Sequence, residues 1–244
     1  MLAAWTLWQR EVVRFFRQRS RIIGALATPV VFWLMMGSGF RGSFSAGGGS
    51  YLEYLFPGTV IMILQFTAIF STISIIEDRR EGFLQGVLVA PVSRASIVLG
   101  KTAGGTTLAL IQALLFTALG VVVGLRPHAA GVAAAVAVMA VVAFGMTALG
   151  VSLAWRFNSV QGFHAVMNLF LMPMWVLSGA VFPASGAAGW LKPVMALNPL
   201  TYGVSALRGA FAGEWRLPDA GIAAAFSAAM FVAAVIVAGR RDPR

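Results

Sequence analysis

The chain has 244 residues, of which 59% are hydrophobic and only 11% charged, and its mean hydropathy is +0.85. Soluble domains carry roughly 25% charged residues, so this composition excludes a water-soluble globular surface. The net charge of +10 is assigned to membrane-flanking arginines rather than to nucleic-acid binding, because basic residues beside spans set orientation and meet anionic lipid.

Residues 1–21 form a prelude to the first span. At helical pitch Trp5, Trp8, Val12 and Phe16 share one face, and Arg10, Arg14, Arg17 and Arg21 share the other, with Arg19 on the apolar side. That division predicts an amphipathic helix lying in the membrane interface; the alternative is a plain basic flank of the span that follows. Uncharged runs then occupy 22–40, 54–76, 102–125, 129–155 and 220–239. Each matches the roughly 20 apolar residues needed to cross hydrocarbon. A sixth run, Phe157 to Leu191, contains Pro173 and Pro183, and a span is placed in it at 163–182. The glycine-rich "SAGGGS" (45–50) reads as an external turn.

Between the second and third spans stands "EDRREGFLQGVLVAPVSR" (77–94), where Glu77 to Glu81 are all charged. Phe83, Leu84, Val87 and Leu88 recur at helical spacing, Pro91 ends that helix, and Ser93 is placed to cap the next. The segment is either a solvated loop or a docking element for a partner. "ASIVLGKT" (95–102) mimics a phosphate-binding loop, but Ala95 replaces the first glycine and bulky residues fill the middle. It also runs straight into a span, with no strand–helix context for phosphate binding. Lys101 instead marks the membrane boundary.

Between the last two spans, "PVMALNPLTYGVSAL" (193–207) is uncharged but short for a crossing. Pro199 disfavours helix at Asn198 and can start one after it. A hairpin containing Asn198, Pro199 and Tyr202 that re-enters from the outer side is predicted, the alternative being an ordinary external loop. Six crossings put both termini on one side. Thirteen of the eighteen Lys and Arg residues fall on that side, so it is cytoplasmic by the positive-inside rule.

His128 and His164 lack metal-ligand spacing, and no catalytic cluster or metal set stands out. No Asp, Glu, Lys or Arg falls inside the six predicted spans, which argues against an ion-coupled transporter. The polar groups at depth are neutral: Gln65, Gln112 and Asn168 are candidates for the substrate path or for interhelical hydrogen bonds.

The stretch "EDRREGFLQGVLVAPVSRASIVLGK" resembles the hallmark cytoplasmic segment of type-2 ABC exporter permeases. That segment joins a charged stretch and glycine to an apolar helix, an "AP" or "TP" step and a basic end. "LNPLTYGVSALRG" (197–209) is similar to the family's second signature. The resemblance implies an all-α polytopic membrane protein with six transmembrane helices over 22–244. It also implies an interfacial helix over 1–21, a cytoplasmic coupling helix and the external re-entrant hairpin. By position, Glu77, Arg80, Glu81, Gly82, Phe83, Leu84, Ala90 and Pro91 would contact or shape the ATPase interface. Gln85 departs from the family, where many members have an acidic residue.

Implied partners are a separate ABC ATPase subunit in two copies, a second permease subunit forming a homodimer, and membrane lipids. ATP and Mg would reside on the ATPase, leaving this chain without cofactor, metal or catalytic residue. The expected setting is the inner membrane of a prokaryote, with both termini cytoplasmic. The expected role is export of a hydrophobic, lipid-like or drug-like substrate. The competing readings are a membrane scaffold or assembly factor, and a secondary transporter or channel without an ATPase.

Overall fold

The computed structural model describes residues 2–17, 19–40, 50–122, 124 and 128–240, with the backbone alone for 19–25. Several expectations lie outside the described residues: most of the 45–50 turn, Arg126, Arg241, Arg244, and the side chains of Arg19 and Arg21. Among the described residues all regular structure is helical. The helices are α1 (Leu2–Arg17), α2 (Arg19–Gly39), α3 (Tyr51–Ser71), α4 (Ile73–Arg80), α5 (Phe83–Val89) and α6 (Arg94–Val122). They are followed by α7 (Val132–Ala154), α8 (Val160–Trp175), α9 (Leu191–Leu197), α10 (Pro199–Ala212) and α11 (Leu217–Gly239).

Among the described residues five helices are long and apolar enough to cross a membrane: Tyr51–Arg80, Arg94–Val122, Ala129–Ala154, Val160–Ala180 and Leu217–Gly239. The span expected at 22–40 falls on α2, whose described apolar part, Leu26–Gly39, is shorter. The chain is therefore a polytopic helical membrane protein.

Helix α3 is the centre. In its most apolar stretch 83% of residues are buried, against 17% for α11, so α3 is surrounded by protein while α11 turns most of its surface outward. The sequence explains this, since α3 is apolar on every side and buries Leu55, Val60, Ile61, Ile63, Leu64 and Ile69, as expected of a helix enclosed in a bundle. Its neighbours are α2, α6, α7, α8 and α10.

Helix α8 contains Pro173 and runs into a π-helical turn, Val176–Ala180, with Gly179 at φ 79. Irregular helix leaves carbonyls without their regular partners, which is costly in hydrocarbon unless other groups donate. Side chains meet that demand. Gln65 Nε2 donates to Leu171 O at 2.9 Å, Tyr54 Oη to Gly179 O at 2.9 Å, and Tyr51 Oη to Val181 O at 3.0 Å. Asn198 Nδ2 donates to Met174 O at 2.6 Å. In the reverse direction, Trp175 Nε1 donates to Gly58 O at 2.7 Å.

The segment around Asn198 is a helical pair. Asn198 Oδ1 accepts from Leu200 N as the N-cap of α10, with Pro199 in the first turn. Tyr202 Oη donates to Ala196 O at 2.8 Å, which closes α10 onto α9. Helix α10 packs against α7, α11 and α3 and contributes Leu200, Val204 and Leu207 to the core.

Helix α1 differs from its expected orientation. The face against α6 is Ala4, Leu7, Glu11 and Phe15, while Trp5 and Phe16 are exposed. Trp8 lies between, with its Nε1 donating to Thr107 Oγ1 at 2.9 Å. Helical pitch separates apolar from basic residues, but it cannot tell which border between them meets a neighbouring helix. Gly100 and Gly104, one turn apart on α6, decide it. A Cβ on Gly100 would come 2.7 Å from the Ala4 carbonyl oxygen, and one on Gly104 would come 2.7 Å from Glu11 Cβ. Two small residues thus let α1 lie directly on the α6 backbone.

Candidate functional site

The charged end of the bundle is built where α4 leaves α3. Helix α4 ends at Arg80, and the chain reverses through Gly82, whose φ of 79 favours glycine. Helix α5 follows. Ala90 is extended ahead of Pro91, and Ser93 Oγ accepts from Ser96 N at the start of α6. The expected short helix, proline stop and serine cap are all present.

Anchoring comes from a buried ionic cluster. Asp78, fully buried, accepts from Arg10 at 2.9 and 2.7 Å, from Arg14 at 3.3 Å and from Lys101 Nζ at 2.5 Å. Lys101 is 4% exposed and also donates to Glu11 Oε1 at 2.6 Å and Ser74 Oγ at 3.3 Å. Glu77 accepts from Arg14 at 2.9 Å, and Glu81 lies 4.0 Å from the same guanidinium. The Asp78 carboxylate, hydrogen-bonded to Arg10, holds that guanidinium above its ordinary pKa. Buried charges persist only when paired and hydrogen-bonded in this way.

Lys101 is more than a flanking charge. Helix α6 begins at Arg94, and Lys101 lies almost two turns inside it, enclosed by carboxylates of α1 and α4. Arg10 and Arg14 likewise turn to the protein rather than away from it. Arg79 completes the anchor, donating to Trp155 O, Phe157 O and Asn158 Oδ1 beyond α7.

The expected coupling residues fall on this one segment, but they do not all face the same way. Leu84 is 3% exposed and belongs to the core cluster that holds Ile97, Val98 and Trp155, with Val87 and Leu88 partly buried against it. Phe83 is 38% exposed and lies under the Arg10 guanidinium, 3.9 Å from its ring centroid. Glu81, Gly82, Gln85, Gly86, Val89, Ala90 and Pro91 are exposed, as is Arg80. The four apolar residues at helical spacing are split, because a helix of under two turns must bury one side to be held at all. The outward surface is Phe83, Gly86, Val89, Ala90 and Pro91. Gln85 bonds back to the protein, Nε2 to Arg79 O at 3.1 Å.

A cavity of about 790 Å³ lies between α1, α2, α3, α4, α6 and α8. Gln112 and Asn168 line it, as do Thr67 and His164, whereas Gln65 is tied to α8 by its hydrogen bond. The imidazole of His164, exposed on α8, lies against the Phe70 ring at 4.6 Å. The acidic and basic partners of the ionic cluster went unrecognised in the sequence because Glu11 and Lys101 are ninety positions apart. The available signal was a lone glutamate at helical spacing with Ala4, Leu7 and Phe15.

Comparison with known proteins gives the same answer along most of the chain. The model of the ABC-2 type transporter family matches residues 3–212. The chain is 25% identical over 209 residues to the transport permease ycf38 of Cyanophora paradoxa, covering 84% of this chain and 72% of that one. It is 26% identical over 214 residues to nodulation protein J of Rhizobium leguminosarum bv. viciae, covering 85% and 82%. It is 21% identical over 226 residues to the daunorubicin resistance ABC transporter permease protein DrrB1 of Streptomyces coeruleorubidus, covering 92% and 80%. With a family match over most of its length, an all-helical membrane body and both expected segments in place, the chain belongs to the ABC-2 type transporter family as a transporter permease.

Proposed function

We propose that this permease exports a hydrophobic, lipid-like or drug-like substrate, driven by ATP hydrolysis on a separate ATPase subunit. The observation that carries the proposal is the two-sided helix α5. Leu84 fixes it in the core, while Phe83, Gly86, Val89, Ala90 and Pro91 stand outward beside charged Arg80 and Glu81. An apolar edge with charged flanks suits the cleft of a partner protein, where the apolar contacts supply affinity and the charges set register. The ionic cluster ties that edge to α1, α4 and α6, so a displacement at α5 is carried into the spans.

In this reading residues 1–21 are an interfacial helix, 22–244 form the membrane domain, and both termini and α5 are cytoplasmic. The hairpin at Asn198, Pro199 and Tyr202 is re-entrant from the outer side. Two permease copies work with two ATPase copies, which hold ATP and Mg, in the inner membrane of a prokaryote. The relative named for daunorubicin resistance supports a drug-like cargo.

The test is co-purification with the cognate ATPase, together with its hydrolysis rate in proteoliposomes. Val89→Arg places a charge on the outward edge and should abolish association while leaving insertion intact. An unchanged complex with unchanged stimulated hydrolysis would refute the reading.

A further inference from the structure

At the end of the bundle remote from the ionic cluster, Arg208 on α10 carries a charge that the protein does not match. Its guanidinium lies over the Tyr54 ring, 4.3 Å from the centroid, and Nη2 donates to Gly179 O at 3.2 Å and to Tyr54 O at 3.4 Å. All of these partners are neutral. Among the described residues no carboxylate pairs with Arg208, and its enclosed Nε has no acceptor. Nη1 makes no hydrogen bond either, but it is not enclosed, and the residue as a whole is half-buried.

The acids nearest in the chain are committed elsewhere. Asp219 accepts from Ser205, one turn before Arg208, at 2.5 Å, and Glu214 pairs with Arg216 at 3.2 Å. A half-buried cation held only by neutral groups is costly unless an anion from outside completes it. Its position narrows what that anion is. Tyr54 stands in the first turn of α3, and Gly179 is next to the last residue of the Val160–Ala180 span. Arg208 therefore sits where two spans end, at the depth of phospholipid headgroups, where tyrosine and arginine anchor membrane proteins. The guanidinium fork suits phosphate oxygens, and bonds between two charged groups are the strong ones.

We propose that Arg208, through Nη1, binds the phosphate of an anionic phospholipid, with Tyr54 and Gly179 holding the guanidinium in place. The lipid then fastens α10 to the ends of α3 and α8 from outside. A free phosphate ion offers the same chemistry, but nothing would keep it at headgroup depth.

The test titrates phosphatidylglycerol into the full chain in a neutral detergent, without an ATPase, and counts bound lipids by native mass spectrometry. The net charge of +10 draws anionic lipid to other basic surfaces as well, so the quantity read is the difference between variants. Arg208→Gln keeps a donor for Gly179 O and removes the charge; one lipid should bind about tenfold more weakly. Arg208→Lys should retain most of the affinity. Ala212→Glu, at an exposed position one turn after Arg208, supplies the missing carboxylate from within the helix. It should displace the same lipid without removing any contact, and it decides the matter if Arg208→Gln does not fold. Arg216→Gln, whose guanidinium is already paired, should leave that lipid in place.

A diacylglycerol with the same acyl chains should not compete, nor should inorganic phosphate at the same concentration. Wild-type lipid binding in both Arg208→Gln and Ala212→Glu, or displacement by diacylglycerol, overturns the assignment. Displacement by inorganic phosphate at equal concentration overturns the lipid as the source and leaves a free anion in its place. No ATPase is present, so the result stands or falls separately from the role proposed for α5.

Discussion

Replacing Lys101 by methionine tests whether the ionic cluster holds the charged end together. The substitution keeps the length of the side chain and removes the ammonium that lies 2.6 Å from Glu11 and 2.5 Å from Asp78. The two carboxylates are affected unequally. Asp78 retains both bonds from Arg10 and one from Arg14. Glu11, only 6% exposed, keeps just the Arg10 guanidinium at 3.6 Å, beyond hydrogen-bond reach.

A buried carboxylate stripped of its partner costs about 3–5 kcal/mol. For a chain of this size each kcal/mol corresponds to about 2–4 °C, so the apparent Tm of the purified protein should fall by roughly 6–20 °C. Adding Glu11→Gln removes the stranded charge and should recover more than half of that loss, a positive coupling in the double-mutant cycle. Intrinsic fluorescence during heating in detergent, at a fixed scan rate, reads both quantities. A Tm within about 2 °C of wild type for Lys101→Met, or simple additivity of the two changes, would refute the reasoning.

Adjacent residues of α5 should separate stability from association. Leu84→Ala deletes a core side chain and should cost about 2–5 kcal/mol in the same melting assay. Phe83→Ala should melt within about 2 °C of wild type, yet weaken ATPase co-purification by about 2 kcal/mol or more. The opposite pattern would reverse the two faces. Gly100→Leu should lift α1 from α6, because its Cβ alone would meet the Ala4 carbonyl oxygen; proteolysis after Arg10 and Arg14 should then accelerate, and an unchanged digestion rate would contradict the packing. Orientation is checked by single cysteines in this cysteine-free chain. A cysteine at 187 should react with an impermeant thiol reagent in intact cells and one at 85 should not, whereas labelling at 85 would invert the topology.

What could be read before the structure was whatever depends on local chemistry. Uncharged runs located the helices, because crossing hydrocarbon imposes a length and forbids charge. Pro91 and Ser93 marked the end of α5 and the start of α6, because backbone conformation there is dictated by residue type. Relations across the chain were not legible. Leu84 and Phe83 are equally apolar neighbours, and only the way α5 is set against the rest of the chain decides which is buried. Lys101 could pass for a flanking charge until Glu11 and Asp78 were brought to it. Gln112 and Gln65 are the same residue type in the same kind of helix, yet one lines the cavity and the other is committed to Leu171.

The irregular end of α8 also constrains how this protein can move. Gln65, Tyr54, Tyr51 and Trp175 make four hydrogen bonds across the joint between that end and α3. Each group left unmatched in a non-aqueous setting costs about 1–3 kcal/mol, so prising the joint open would cost about 4–12 kcal/mol in total. Two of the four bonds are fully buried, and a sliding motion would lose several of them together rather than exchange them one by one. The two helices therefore travel as a single rigid block during any transport cycle. Slippage must occur along seams that lack such stitching, and the outer face of α11, apolar and barely enclosed, is one that can glide through lipid without breaking a directional bond.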